Sequence, residues 1–128
     1  MNILEKKIPQ EYLPEVLDGL VYLPGAINLR PFRVLSAEAF REAYEISFMG
    51  SVKSIQAFEK SPKKSENASI VLFSTVAVKT GMPFHNAVAS AKGAVEGLSR
   101  STAAEFAPKV RVHTIALSRP THKWQTPS

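Results

Sequence analysis

A chain of 128 residues with 45% hydrophobic content suffices for one domain with a buried core. It has no cysteine, which excludes disulfide staples and thiolate metal sites, and its three histidines, His85, His113 and His122, lack metal-ligand spacing. Its net charge of +5 is scattered apart from Lys6, Lys7 and the group Lys60, Lys63 and Lys64, without the interleaved aromatics of a nucleic-acid surface, so no nucleic-acid partner is expected.

Residues 1–16, MNILEKKIPQEYLPEV, lack a signal-type apolar core and read as an extension ahead of the folded part. No segment approaches the ~18 apolar residues of a membrane span, so the expectation is a cytoplasmic protein with no membrane partner. The run Leu20 to Leu23, closed by Pro24 and Gly25, reads as a buried strand entering a loop. Ser36 suits the cap of a helix starting at Ala37, with Glu38 favourably placed near the positive end of the helix dipole. Phe40, Tyr44, Phe48, Val52 and Ile55 then carry the apolar face as far as Glu59 or Lys60.

The following SPKKSEN reads as a solvated polar turn. ASIVLFST, Ala68 to Thr75, is apolar without alternation, the pattern of a strand covered on both faces and hence of a parallel sheet. A second helix is predicted from Asn86 to Phe106, stopping before Pro108, and VRVHTIAL, Val110 to Leu117, supplies a third strand. Strand, helix, strand, helix, strand joined by right-handed crossovers gives an α/β fold with a three-stranded parallel sheet and two long helices.

Ligands of such sheets bind beyond the carboxyl ends of the strands. Here those ends carry Pro24 and Gly25, then Ser74 and Thr75, then Leu117 and Ser118. Lys92 lies early in the helix after Thr75, in a run of small residues that lets a helix approach neighbouring backbone closely. By itself it reads as a solvated helix lysine or as a site lysine. His85, two helical turns earlier, reads as the end of the GMPF loop or as an acid sharing the lysine's face.

SIVLFST, VASAKGAVEGLSRSTAAEFAP and VRVHTIAL, in this order and separation, resemble the short-chain dehydrogenase/reductase family, over Leu17 to Leu117. That family pairs a strand-end serine with Tyr-x-x-x-Lys on the next helix. The resemblance implies a partial Rossmann-type fold and an oxidoreductase that moves a hydride between NAD or NADP and a carbonyl or alcohol. It puts Thr75, with Ser74 beside it, at the serine position, and Ser47 at the position of a helix asparagine that supports a proton-relaying water. Lys92 holds the cofactor ribose in this scheme, with Pro24 and Gly25 in the adjoining cofactor loop. Tyr22, Leu23, Pro24 and Gly25 stand where the family has Asn-Asn-Ala-Gly, and His113 stands for a further asparagine. Val88 occupies the tyrosine position and can neither give nor take a proton, which leaves His85 as the substitute acid.

The family's Gly-x-x-x-Gly-x-Gly phosphate turn is absent from the sequence, which speaks against cofactor binding by this chain. The resulting expectation is a family member truncated at both ends and inactive alone, a pseudoenzyme that takes a small-molecule substrate only if it is active. Residues 17–118 form the partial domain and 119–128 an irregular tail, which a two-base shift of reading frame would turn into the family's continuation. The two long helices resemble the family's subunit interface and imply a homo-oligomer, while the first strand leaves a bare sheet edge. The alternative function is a non-catalytic interaction or dimerisation module derived from the same fold.

Overall fold

The computed structural model describes residues 17–25, 28–60 and 64–118. Strands β1 (Leu17–Tyr22), β2 (Lys64–Thr75) and β3 (Val110–Leu117) form one parallel sheet in the order β1-β2-β3. Between β1 and β2 run α1 (Ala37–Ala43), a π-helical segment (Tyr44–Met49) and α2 (Gly50–Lys60), continuous with one another. A single turn, α3 (Ala77–Thr80), and the long α4 (Asn86–Phe106) connect β2 to β3. The extension 1–16, the tail 119–128 and residues 61–63 of the expected turn lie outside the described residues.

Local chemistry sets the helix ends. Ser36 Oγ accepts from Ala39 N–H at 3.1 Å, so the serine caps α1 as expected. Helix α4 ends at Phe106, where the approach of Pro108 removes the next donor.

Three sequence expectations need correction. The polar stretch before β2 is not all turn, because the strand begins at Lys64, pairing with Leu17 before the register shifts to Gly19 and Ser69. The long helix is interrupted by the π segment: Gly50 N–H reaches back five residues to Glu45 O. Strand β2 is not covered equally on both faces. Ala68, Ile70, Leu72 and Ser74 are buried, whereas Ser69, Val71, Phe73 and Thr75 are only half-buried.

The core explains this asymmetry. Tyr22, Ile70, Leu72 and Val110 from the sheet meet Ile55 and Phe58 of α2 and Val95 of α4 in one cluster. The long helices thus cover a single face. On the opposite face Val21 is 57% and Ile115 46% exposed, and Leu23 and Leu117 are exposed as well.

Candidate active site

The carboxyl end of β1, the π segment and the first turns of α4 converge on the ammonium group of Lys92. A Cβ built on Gly25 would lie 3.3 Å from Lys92 Nζ and 3.5 Å from Ser47 Oγ. A side chain at Gly25 would therefore crowd the tip of Lys92 and lie in contact with Ser47, so glycine leaves the niche its space. Ser47 is 1% exposed, and its Oγ has no hydrogen-bond partner among the described residues. Lys92 is 9% exposed, and burial pulls its ammonium below the ordinary lysine range. The niche thus sets a desolvated cation and an unsatisfied hydroxyl against backbone that carries no side chain.

The geometry of the π segment has an identifiable support. Tyr22 is buried, and its hydroxyl donates to Ile46 O at 2.6 Å. Ser51 Oγ donates to Ser47 O at 2.6 Å. Gly50 leaves room for the tyrosine: a Cβ there would fall 1.8 Å from Tyr22 Oη.

At the end of β2 the two hydroxyls part. Ser74 faces the helix layer, and its Oγ donates to Glu96 Oε2 at 2.6 Å. Glu96 lies one turn beyond Lys92 and also pairs with Arg100 at 3.8 Å. Ser74 thereby ties β2 to α4 and sets the rotation of the helix that carries Lys92. Thr75 takes the opposite parity, and its Oγ1 accepts from Ala77 N–H at 3.2 Å to open α3.

Val88 is buried one turn before Lys92 on the same helix. His85 is the residue before α4, and its Nδ1 donates to Pro83 O at 2.8 Å, which turns the ring toward its own loop. Phe84 beside it holds a left-handed φ of 67°, so this turn is strained. Pro24 is exposed on the approach to Gly25, and His113 is exposed on the open sheet face. The structure therefore brings Gly25, Ser47 and Lys92 together, keeps Ser74 engaged with Glu96, and holds His85 to the Pro83 carbonyl.

Sequence reasoning missed the contacts of Tyr22 with Ile46 and of Glu96 with Ser74. The signal for Glu96 is its i,i+4 spacing to Lys92, which puts the two on one helix face, Lys92 reaching Gly25 and Glu96 reaching Ser74. The role of Tyr22 depends on a contact 24 residues away and left only an indirect mark, the glycine at position 50.

Residues 6–121 match the family model described as enoyl-(acyl carrier protein) reductase. The chain belongs to the short-chain dehydrogenase/reductase family. Human 17-beta-hydroxysteroid dehydrogenase type 1 is 28% identical over 92 residues, covering 72% of this chain and 28% of that protein. The peroxisomal 2,4-dienoyl-CoA reductase of Saccharomyces cerevisiae is 34% identical over 77 residues, covering 60% of this chain and 26% of the relative.

Among solved structures, a short-chain dehydrogenase/reductase from Brucella melitensis superposes with a TM-score of 0.75 at 25% identity, over 80% of this chain and 43% of that one. One from Burkholderia xenovorans gives 0.69 at 28% identity, over 80% and 44%. The chain thus spans under a third of the length of these curated relatives and under half of these solved chains. No helix among the described residues is long and apolar enough to cross a membrane.

Proposed function

We propose that this chain is the carbonyl-side portion of an NAD(P)-linked oxidoreductase acting on a carbonyl or alcohol substrate, and that it does not turn over alone. The observation that carries the reading is the convergence of Gly25, Ser47 and Lys92. These residues suit the nicotinamide-ribose end of such a cofactor. An open glycine backbone admits a sugar edge, the ammonium donates to its hydroxyls, and the orphaned Ser47 hydroxyl gains a partner directly or through one water. The diphosphate end lacks its glycine turn in this sequence.

When bound, the cofactor supplies or accepts the hydride. The remaining tasks fall to the chain. Lys92 orients the ribose and places positive charge beside the reacting centre. Thr75, at the mouth of β2, holds the serine position of the family but faces away from Ser74 with its Oγ1 accepting from Ala77 N–H, and would have to turn from that bond to orient a substrate oxygen. Val88 moves no proton, so turnover needs an acid other than the residue at this position. His85 is the nearest titratable candidate along α4 and would have to leave the Pro83 carbonyl to serve.

Titration of the purified chain with NADH and NADPH, followed by nicotinamide fluorescence, tests the reading. Saturable binding that Lys92→Met removes is the expected result. Equal binding by wild type and variant would exclude this niche as the cofactor site.

The alternative is a non-catalytic interaction module, supported by Val88 at the proton-transfer position and by the exposed apolar sheet face. A folded chain that binds neither cofactor would favour it.

A further inference from the structure

We propose that Tyr22 is a positioning residue for the Lys92 niche: its hydroxyl locks the end of β1 to the π segment and so fixes Gly25 and Ser47 opposite the ammonium group. The inference rests on the niche being the ribose site only for its affinity readout; the positioning itself stands on geometry.

A hydrogen bond that an α-helix would make is rerouted at this point. In an α-helix Ile46 O would accept from Gly50 N–H, four residues on. Here Gly50 N–H goes to Glu45 O, and the Tyr22 hydroxyl donates to Ile46 O at 2.6 Å. The tyrosine thus supplies a donor where the helix withdraws one, favouring the π register over the α register. Closing the segment to α geometry would rotate every residue on one side of it by about 100° relative to the other, the angle of one residue in a helix of 3.6 per turn. Ser47 would then no longer keep its place relative to both helix ends.

The steric arrangement points the same way. Glycine is unfavourable inside a helix relative to alanine, yet Gly50 sits where a Cβ would collide with Tyr22 Oη. Glycine at 50 and tyrosine at 22 are therefore one device. Tyr22 is also three residues before Gly25, so a single contact holds both flanks of the niche: the β1 exit through the chain itself, and Ser47 through the neighbouring carbonyl.

The test compares wild type with Tyr22→Phe, which removes only the hydroxyl, and with Thr102→Val, which removes a hydroxyl bonded to Leu98 O at 2.8 Å farther along α4. The primary readout is the titration of the Lys92 Cε and Nζ resonances by NMR in the cofactor-free protein. Among the described residues no carboxylate is within ion-pair distance of Lys92, so burial governs its titration. Of the titratable groups on the packed elements, Glu38, Arg41, Glu42, Glu45, Lys79, Arg111 and His113 are exposed and Glu96 is held by Ser74 and Arg100.

Tyr22→Phe is expected to return the lysine toward its ordinary range and to weaken NAD(P)H binding roughly threefold to tenfold, the net worth of one hydrogen bond. Thr102→Val is expected to leave both unchanged. Should Tyr22→Phe fail to fold, Gly50→Ala displaces the same hydroxyl from the helix side and is read by the same resonances. An unshifted Lys92 titration in a folded variant overturns the positioning role. A shifted titration in a protein that binds no cofactor supports it while removing the proposed function.

Discussion

At the scale of single residues, two groups in the niche carry a stability cost, among the described residues, that a bound ligand would relieve. Burial disfavours the charged form of Lys92 and lowers its pKa. The folded state then binds fewer protons than the unfolded state between the lowered value and the ordinary 10.5. The penalty is therefore full below the folded pKa and fades as pH rises toward 10.5. Lys92→Met is expected to raise the unfolding temperature at pH 7, with the gain over wild type shrinking at alkaline pH, while nicotinamide binding is lost. Thermal unfolding across pH measures the first effect and fluorescence titration the second. A variant less stable than wild type at pH 7 would mean the ammonium has found a stabilising partner.

Ser47→Ala removes a buried hydroxyl that has no partner among the described residues. A buried group without a hydrogen bond costs about 1–3 kcal/mol, so the alanine variant should match or exceed wild-type stability in urea unfolding. Its cofactor affinity should fall. A marked loss of stability would show that Ser47 is bonded in solution and is not waiting for a ligand.

At the scale of elements, the attachment of α4 to β2 sets where Lys92 points. Ser74 donates to a carboxylate from a buried position, and that bond joins two elements 22 residues apart in sequence. Ser74→Ala should destabilise by about 1.5–3 kcal/mol, as expected for a hydrogen bond to a charged group. Part of the cost comes from leaving Glu96, among the described residues, with its 3.8 Å contact to Arg100. Chemical denaturation measures it, and a change below 0.5 kcal/mol, the low end for a single hydrogen bond, would deny the tie.

The bounds of α4 were legible in the sequence because its stop signal is local: Pro108 removes a donor whatever the surroundings. The π segment was written there more faintly. Phe40, Tyr44, Phe48 and Val52 step by four, slower than the 3.6 of an α-helix, and that drift is what one inserted residue accommodates. Tyr22 could not be read this way, because its partner is a backbone carbonyl, which leaves no side-chain signature.

At the scale of the whole molecule, the sequence pattern and the exposed surface disagree, and the disagreement suggests an association. Val71, Phe73, Val21, Ile115 and Leu117 make the strands look covered on both sides, as in a parallel sheet with helices on each face. The described helices cover only the face of Leu72 and Ile70. The register sets Val71 between Val21 and His113 and puts Phe73 beside Ile115, so an apolar patch crosses the open side, bordered by Ser69, Arg111 and His113. A large apolar side chain returns about 1.5–3 kcal/mol on full burial, and Val21, Leu23, Ile115 and Leu117 are all exposed here. A patch of this kind marks an interaction surface or an aggregation hazard. The chain by itself is therefore expected to self-associate through this face, with a mass above the monomer by size-exclusion chromatography with light scattering. The pair Val21→Lys and Ile115→Lys should shift it toward monomer, since each buries an unpaired charge in the contact. A second surface competes, the groove of about 530 Å³ between α1 and α4 lined by Phe40, Arg41, Tyr44 and Ser90. Tyr44→Glu at that groove separates the two: if it dissociates the assembly and the lysine pair does not, the chain associates through its long helices and the sheet face is not the contact.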